Sequence, residues 1–268
     1  GATFNGIESG DRTGRSVSGA GDVNGDGLAD LLIGAPQANA GGNNLGRSYL
    51  VYGQPANDNP LSGGLNLINT GGTLSGATFN GIGNWDYSGW SVSGAGDING
   101  DGLDDFLIAA PSAGPGNTGR GQTYLVYGQS AGSPLSGAFT LADVGGAIAG
   151  ATFNGIENYD RSSWSVSAAG DVNGDGLDDL LIGGMYANDN GQAYLVYGQD
   201  DDSLLSGPVS LVDLGGAVAG AIFNGIHDDD YAGQSVSAAG DVNGDGLGDI
   251  LIAATSADQV YLVYGQPN

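Results

Sequence analysis

Short apolar runs separated by glycine, asparagine and aspartate recur along the whole chain. In the first quarter of the sequence they read GATFNGI, SVSGAGD, DLLIGAP and YLVYGQ. Runs that alternate or contain β-branched residues, and that are bounded by turn-forming residues, are typical of short β-strands. No stretch of the sequence shows sustained helical periodicity. The pattern therefore predicts an all-β protein in which each unit supplies four short strands.

The four-strand pattern occurs four times. The segment that begins at Phe4 recurs with spacings of 75, 74 and 70 residues, and the acidic loop that begins at Asp22 recurs with the same spacings. We therefore divide a single domain into four units, approximately residues 1–75, 76–149, 150–219 and 220–268. Repeated units of four antiparallel strands fit the four-stranded blades of a β-propeller. The small residues of SVSGAG suit the innermost strand, beside a crowded axis.

The two ends of the chain favour closure of the propeller. The fourth unit stops at YLVYGQPN without a further GATFNGI strand, and the first unit begins with a spare one. We expect the N-terminal strand to complete the last blade, which would hide sheet edges that otherwise invite aggregation. The same arrangement permits two chains to share one larger ring, and both possibilities stay open. No signal peptide is visible, so we expect a mature protein or a piece of a longer one.

Each unit contains the acidic pattern D-x-N-G-D-G-L-x-D between its second and third predicted strands. Positions one, three, five and nine offer side-chain oxygens and position seven offers a carbonyl oxygen, a ligand set that suits Ca²⁺. Mg²⁺ is less suitable because it demands a stricter octahedron and retains its waters. The predicted cofactor is therefore Ca²⁺ at four sites, one in each unit. The predicted ligands are Asp22, Asn24, Asp26, Leu28, Asp30, Asp97, Asn99, Asp101, Leu103, Asp105, Asp171, Asn173, Asp175, Leu177, Asp179, Asp241, Asn243, Asp245, Leu247 and Asp249.

Two other interpretations of the acidic loops are weaker. An EF-hand requires glutamate at the twelfth loop position, where the first unit has Ile33, and its flanking segments should be helical rather than strand-like. Simple solvated turns would leave three carboxylates crowded together four times over with no cation to balance them. The expected role of the ion is structural, since it would hold a hairpin between two strands.

The acidic loops and the strands around them resemble FG-GAP repeats, which are the blades of the integrin alpha-subunit propeller. The resemblance rests on the four acidic loops, the SVS strand before them and LLIGAP after the first of them, and it extends over all four units. It implies Ca²⁺ bound on one face of a propeller. The FG dipeptide is degraded, for example to Thr13-Gly14 and Ser162-Ser163, and GAP is intact only at 34–36. Four units are present where integrin propellers have seven blades, so integrin ligand specificity is not carried over.

The amino-acid composition of the chain limits the classes of molecule that the protein is expected to bind. The chain of 268 residues has 54 glycines, 30 acidic residues, five arginines, no cysteine and a formal net charge of −25. That charge disfavours nucleic acid and anionic membranes as partners. The lack of cysteine excludes disulfides and thiol chemistry, and calcium could take the place of disulfides outside the cell. No apolar run is long enough to span a bilayer, so membrane insertion is not expected.

The diverse side chains of the sequence fall in two sets of loops, which in the first unit are residues 7–15 and 35–47. Since successive antiparallel strands alternate in direction, both sets should emerge on the face opposite the acidic loops. They contain all the Arg, Trp, His and Glu residues. Exposed aromatic and arginine side chains are typical anchors for a protein or glycan ligand. The candidate ligand-binding residues are Trp85, Asp86, Tyr87, Tyr159, Asp160 and Arg161.

Structural explanations compete at several of these positions. Trp90 and Trp164 directly precede the small innermost strand and are expected to pack between blades. The aspartate that recurs in the first loop set could serve only to hold its loop through backbone hydrogen bonds. The only histidine, His227, lies in an acidic loop where a solvated position is favoured, and no general base recurs beside the serines. We therefore expect the protein not to be an enzyme.

The sequence thus predicts an extracellular calcium-binding β-propeller, secreted or on the cell surface, that acts as an adhesion or ligand-binding module for a protein or a glycan. One alternative is a self-assembling structural subunit of a surface layer or extracellular fibre, since heterologous contacts between copies propagate. Another is a non-catalytic propeller within a larger secreted enzyme. A homo-oligomer is compatible with the first two of these functions.

Overall fold

The computed structural model describes residues 1–39, 41–57, 60–116, 118–200 and 204–267 of the chain. Within these ranges the backbone forms short strands joined by turns, with four one-turn 3-10 helices at Leu67–Asn69, Leu141–Asp143, Leu211–Asp213 and Thr255–Ala257. The strands are β1 (Ala2–Asn5), β2 (Ser16–Gly21), β3 (Asp30–Ala35), β4 (Arg47–Val51), β5 (Gly63–Asn66), β6 (Gly76–Asn80), β7 (Val92–Gly96), β8 (Asp105–Ala110), β9 (Gln122–Val126), β10 (Gly137–Thr140), β11 (Gly150–Asn154), β12 (Ser162–Gly170), β13 (Asp179–Gly184), β14 (Gln192–Val196), β15 (Gly207–Ser210), β16 (Gly220–Asn224), β17 (Ala232–Gly240), β18 (Asp249–Ala254) and β19 (Gln259–Val263).

Three of the four blades contain four antiparallel strands, as predicted, and in the first two a fifth strand, β10 or β15, adds to the sheet in parallel. Each blade takes its first three strands from one sequence unit and its outer strand from the next unit, because β4, β9 and β14 pair with β6, β11 and β16. The first blade is β2-β3-β4-β6, the second β7-β8-β9-β11 and the third β12-β13-β14-β16, while the fourth contains β17, β18 and β19. The all-β propeller-blade architecture is thereby confirmed, with the structural unit offset from the sequence unit by one strand.

The prediction that the N-terminal strand closes the last blade is wrong. Strand β1 pairs in parallel with β5, with Ala2 opposite Gly63 and Asn5 opposite Asn66. No strand in the described part of the chain pairs with the outer edge of β19. Strand β5 is a fifth type of strand that the sequence pattern did not reveal, since β10 and β15 add to β6 and β11 in the same parallel way. Strand β1 thus holds the place of an outer strand. Its other edge, with which β6, β11 and β16 each complete a blade, does not pair with β19, and the sheets therefore do not close into a ring.

The hydrophobic core lies between neighbouring blades. Phe79 on the outer strand of the first blade packs edge-on against Phe106 of the second blade, with ring centroids 5.5 Å apart, and stacks on Phe139 of β10 at 5.7 Å. The innermost strands approach one another closely, and a Cβ atom added to Gly94 would lie 2.8 Å from the Gly19 carbonyl oxygen. Small residues on these strands are therefore required by the spacing of the blades, as the sequence pattern predicted.

Candidate metal loops and the aromatic loop face

The acidic loops connect β2 to β3 and the equivalent strands of the other blades, and each loop is organised by its own side chains. In the first loop, Asp22 accepts hydrogen bonds from the backbone amides of Asp26 and Gly27 at 3.0 and 2.8 Å. Asn24 Oδ1 accepts from the amide of Asp26 at 2.9 Å, and Asp26 Oδ1 accepts from the amide of Leu28 at 2.9 Å. The other three loops repeat these bonds. The side chains predicted to ligate at positions one, three and five therefore share one tight turn in every blade.

The aspartate at position nine has a second role that the sequence did not reveal. Asp30 is fully buried, and its two carboxylate oxygens accept hydrogen bonds from the backbone amides of Val23 at 3.0 Å and Gly53 at 2.8 Å. These bonds tie the acidic loop to the end of the third strand of the blade. The same pair of bonds is made by Asp105, Asp179 and Asp249. The sequence did not reveal this role because a repeated pattern does not show which of its carboxylates is buried in the protein interior.

Three of the position-nine carboxylates, those of the first three acidic loops, lie in an environment that disfavours their negative charge. Burial, reinforced by the neighbouring carboxylates at positions five and one, raises the pKa of Asp30 to about 6, of Asp179 to about 7 and of Asp105 to about 8. A divalent cation in the loop would offset both effects, so the loops fit a calcium ion electrostatically. In the described ranges no three His, Cys, Asp or Glu side chains converge as a metal cluster. The predicted ligand set would therefore also need the Asn side chain, the Leu carbonyl oxygen and side chains that now bond to the loop's own amides.

These raised pKa values predict how the metal-free protein responds to pH. A carboxyl group whose pKa is higher in the folded state than in the unfolded state binds more protons when folded, so stability falls as pH rises between the two values. We expect the melting temperature in excess chelator to fall from pH 5 to pH 8, measured by circular dichroism. The fall should be smaller in Asp105→Asn, which lacks one titrating group. A metal-free melting temperature that rises over this range would contradict the assignment.

The two loop sets lie together on the face opposite the acidic loops, as predicted. The backbone amides of Trp85 and Tyr87 donate hydrogen bonds to the carbonyl oxygens of Asn43 and Asn44 at 2.8 and 3.2 Å. The amide of Tyr159 donates to the carbonyl oxygen of Thr118 in the equivalent place between the next two units, at 3.0 Å. Each first-set loop is thus fixed to the second-set loop of the preceding unit. We call this surface the loop face.

The aspartate that recurs in the first loop set holds the loops together. Asp86 and Asp160 are buried, and their carboxylates accept hydrogen bonds from the amides of Gly83 and Glu157 at 2.6 and 2.7 Å. Burial raises the pKa of both carboxyl groups. Asp11 and Asp230 make the same bond in the outer units. The structure thus favours the loop-holding interpretation for these aspartates, and it places Asp86 and Asp160 beneath the surface where a ligand would contact the loops.

A continuous row of aromatic rings crosses the loop face. Consecutive ring centroids lie 6.4, 6.3, 4.8, 6.4 and 5.4 Å apart along Trp85, Tyr87, Trp90, Trp164, Tyr186 and Tyr231. The guanidinium of Arg15 lies 4.5 Å from the centre of Trp90, and that of Arg161 lies 5.4 Å from Tyr186. We call the six aromatic residues, from Trp85 to Tyr231, the aromatic row. Trp90, before the innermost strand of the second blade, contacts Trp164 on the innermost strand of the third blade. This contact agrees with the expected packing between blades.

Sequence reasoning missed Tyr186 and Tyr231 as members of the row. Tyr231 could have been found, because it follows the recurrent loop aspartate at the same position as Tyr87 and Arg161. Tyr186 comes from the second loop set and had no repeated signal. Beside the row, Tyr159, Arg161, Tyr186, Asp189 and Tyr231 are among the residues that line a recess of about 450 Å³. His227 is exposed, and its backbone amide donates to Asp230 at 2.7 Å, as expected for a loop residue.

Two aromatic residues of the loop face are exposed in an unfavourable backbone conformation. Trp85 is 52% exposed with a φ of 69°, and Tyr159 is 72% exposed with a φ of 71°. The equivalent residue of the first unit is Gly10, which adopts a φ of 101°. Left-handed backbone costs a residue with a side chain about 1–2 kcal/mol, whereas glycine adopts it freely. The fold therefore requires this conformation but does not require an aromatic side chain there.

Four similar blades with an acidic hairpin loop in each define a repeat-built propeller protein. The family model for the FG-GAP repeat matches residues 13–51, 88–126, 163–196 and 232–265, which is more than half of the chain. The chain therefore belongs to the FG-GAP repeat family. None of the helices in the described ranges is long and apolar enough to cross a membrane.

The chain is similar to segments of larger proteins. It is 28% identical over 252 residues to integrin alpha-PS2 of Drosophila melanogaster, covering 92% of this chain and 16% of that protein. It is 32% identical over 178 residues to the phosphatidylinositol-glycan-specific phospholipase D of Rattus norvegicus, covering 66% and 19%. For integrin alpha-IIb of Homo sapiens the identity is 33% over 172 residues, covering 62% and 14%. The chain thus spans less than a fifth of the length of each of these relatives.

Proposed function

We propose that this FG-GAP propeller segment is an extracellular adhesion or ligand-binding module that binds a protein or glycan on its loop face and Ca²⁺ in its four acidic loops. The observation that carries the proposal is the exposure of Trp85 and Tyr159 in left-handed backbone. Similarity to integrin alpha subunits supports the adhesion role and the location outside the cell. The calcium proposal rests on the fit of the acidic loops to a divalent cation.

Trp85 and Tyr159 each carry a cost that folding does not explain. Each exposes a large aromatic surface to water and holds an unfavourable φ, although Gly10 shows that glycine serves the same backbone position. Strained backbone that the surrounding structure holds in place is found disproportionately at ligand-binding and catalytic sites. Rigid aromatic side chains bury much area on binding at a low cost in conformational entropy. A ligand that covers these rings would account for both features.

The test separates folding from binding at these two positions. We expect Trp85→Gly and Tyr159→Gly to leave the melting temperature unchanged or slightly raised, because glycine relieves the strain that each side chain imposes. Binding to a glycan array and to a panel of immobilised extracellular-matrix proteins should fall at least tenfold for the ligand found with the unchanged protein. Circular dichroism and surface plasmon resonance measure the two quantities.

A matched control for this test is Ile68→Ala, which removes a similarly exposed apolar side chain from the 3-10 helix Leu67–Asn69, outside the two loop sets in the sequence. It should change neither stability nor binding. If the glycine variants lose stability by several degrees, the two aromatic residues serve packing instead. If they keep full affinity for the ligand, the loop face around them is not the binding site.

We propose no catalytic role for the chain. The recurrent aspartates of the loop face are occupied with backbone amides, and the carboxylates of the acidic loops are occupied with their own turn. The similarity to a phospholipase D covers less than a fifth of that enzyme. That similarity is therefore also compatible with a second role, in which the chain is a non-catalytic part of a larger enzyme. Assay of the purified chain against phosphatidylinositol-glycan substrates should give no turnover.

A further inference from the structure

A second recess on the loop face is lined by arginine and aromatic side chains of the first three units. Its volume is about 270 Å³, and its lining includes Arg12 of the first unit, Trp90 of the second, and Arg161 and Trp164 of the third. None of the described residues that line this recess is acidic. The chain has a net charge of −25 and only five arginines, so two arginines in one recess are a marked local concentration of positive charge.

Three of the five arginines gather around the paired indoles of Trp90 and Trp164. The guanidinium of Arg15 lies 4.5 Å from the centre of Trp90, and that of Arg161 lies 5.9 Å from the centre of Trp164. Arg12, which lines the recess with them, is exposed. A guanidinium that stacks on a ring is held in place while its N–H groups can still donate to a carboxylate. The stacked arginines are therefore positioned for an anionic group before it binds.

The aspartates of the same loops are engaged beneath the surface. Asp11 and Asp86 are buried, and their carboxylates accept hydrogen bonds from backbone amides of their own loops. Their carbonyl oxygens accept hydrogen bonds from the amides of Gln37 and Ser112 at 3.1 and 3.3 Å. These bonds fix the backbone of two polar residues that also line the recess. The recess therefore offers neutral hydrogen-bonding side chains beside its arginines.

The residue that follows the recurrent loop aspartate is held in left-handed backbone in every unit. It is Arg12, Tyr87, Arg161 or Tyr231, with φ values of 54°, 56°, 47° and 56°. Glycine would adopt this conformation freely, yet no unit has glycine there. Three of these four side chains line the recess. Strained backbone is found disproportionately at ligand-binding sites, which agrees with a binding role for these side chains.

We propose that this recess binds a sugar residue that carries a carboxylate, such as a uronic acid or a sialic acid within a glycan. The inference rests on the proposed function, since it names the ligand class for the loop face. Arg12 and Arg161 donate charge-assisted hydrogen bonds to the carboxylate. The C–H face of the sugar ring packs on the electron-rich indoles, and the hydroxyl groups bond to Gln37 and Ser112.

A sugar accounts for more of the lining than an acidic protein side chain does. An aspartate or glutamate of a protein ligand would use the arginines and leave the aromatic surface of Trp90 and Trp164 without a partner. The volume lies just below the ~300–1,000 Å³ of sites for drug-sized ligands, which suits a single sugar residue. The favoured occupant is therefore one acidic sugar residue.

The net charge of the protein is compatible with a ligand of this kind. At physiological ionic strength charges are screened over about 8 Å, and the four acidic loops lie on the opposite face. A single carboxylate therefore interacts mainly with the arginines beside it. A nucleic acid or an anionic membrane extends far beyond the recess and meets the repulsion of the whole surface, so both remain disfavoured.

The experiment is an NMR titration of the whole ¹⁵N-labelled chain in calcium, observed at the indole N–H signals of its three tryptophans. The probes are D-glucuronate and N-acetylneuraminate, which distinguish the two sources of the carboxylate. D-Glucose and acetate are the controls, since each keeps only the ring or only the carboxylate. We expect one or both probes to shift the signals of Trp90 and Trp164 saturably and leave that of Trp85 in place. Each control should bind about tenfold more weakly or less, because it lacks half of the contacts.

Substitution of single arginines tests the same contacts. Arg12→Gln should weaken binding of the effective probe by about tenfold, because a charge-assisted hydrogen bond is lost. Arg161→Gln should do the same, and Arg12→Gln keeps the test valid if loss of the Arg161 stacking disturbs the fold. Arg120→Gln is the matched control, since it changes the net charge equally at an arginine that does not line the recess. It should bind the probe normally.

Three results would overturn the proposal. They are equal binding of acetate and the acidic sugars, which would favour an acidic protein side chain as ligand, the lack of a saturable shift at Trp90 and Trp164, and full affinity in Arg12→Gln. The proposed function is tested separately. If a ligand from the arrays is lost in Trp85→Gly or Tyr159→Gly while Trp90 and Trp164 do not respond to the acidic sugars, the loop face binds its ligand elsewhere and only this inference fails.

Discussion

Removing calcium is expected to lower the melting temperature of the protein by roughly 10–20 °C. At a calcium concentration ten times the dissociation constant, each site adds about 1.4 kcal/mol to the free energy of unfolding, so four sites add about 6 kcal/mol. That is comparable with the whole net stability of about 5–15 kcal/mol of a typical domain. For a chain of this size, 1 kcal/mol moves the midpoint by about 2–4 °C. The effect should be large because the cation offsets carboxylate repulsion in all four loops.

Differential scanning calorimetry in excess EDTA and in millimolar calcium, at one pH and one ionic strength, makes the comparison. Magnesium at the same concentration is the control for non-specific screening and should restore only a small part of the loss. Asp143→Asn, which removes a carboxylate from the 3-10 helix Leu141–Asp143 rather than from an acidic loop, should leave the response to calcium intact. An unchanged melting temperature in EDTA would eliminate calcium as a structural ion here.

The features that the sequence predicted correctly are local ones. The acidic loop is a turn whose bonds run between residues two to five positions apart, such as Asp22 to Asp26, so its residue types and spacing alone define it. The blade strands follow from short alternating runs that recur in register. The separation of the loop face from the acidic loops follows from strand alternation. In each case the determining contacts lie within one repeat.

The features that the sequence did not predict depend on contacts between repeats. Strands β5, β10 and β15 read GGLN, GAFT and GPVS, which carry little apolar pattern. Each is extended because it pairs with a strand that lies 56 to 61 residues before it, as Gly63 does with Ala2, Gly137 with Ala77 and Gly207 with Ala151. Closure likewise depends on contacts between repeats, since it requires the second edge of β1 to pair with β19, and these two strands do not pair. The aromatic row also escaped prediction in part, because Tyr186 joins it only through the packing of blades. The double role of the position-nine aspartate depended on burial, which a repeat does not reveal.

That double role leads to a second prediction, in which two aspartates four residues apart in one loop have different functions. We expect Asp105→Asn to destabilise the protein by about 2–3 kcal/mol even in EDTA. Both oxygens of Asp105 accept buried amides, from Gly128 at 2.8 Å and Ile98 at 3.0 Å. An asparagine can accept only one of them and turns its NH₂ group toward the other, and an unsatisfied buried donor costs about 1–3 kcal/mol. Protonation of Asp105 is less harmful, since a carboxylic acid keeps oxygen atoms toward both amides.

Asp101→Asn, at position five of the same loop, is the matched variant. Asp101 is exposed, and an asparagine can still accept the hydrogen bond that Leu103 donates to Oδ1 at 2.9 Å. The variant should keep the stability of the metal-free protein within about 0.5 kcal/mol, as expected for a surface substitution. It should nevertheless lose calcium at one of four sites, because a carboxylate ligand and one negative charge are gone.

Chemical denaturation in EDTA and isothermal titration with calcium separate the two variants. The expected pattern is a lower free energy of unfolding in EDTA for Asp105→Asn and one fewer calcium site, at near-normal metal-free stability, for Asp101→Asn. If both variants behave alike in EDTA, the buried bonds of Asp105 contribute less than their geometry indicates. If Asp101→Asn still binds four calcium ions, position five is not a ligand, and the loop must hold its cation through the remaining oxygens.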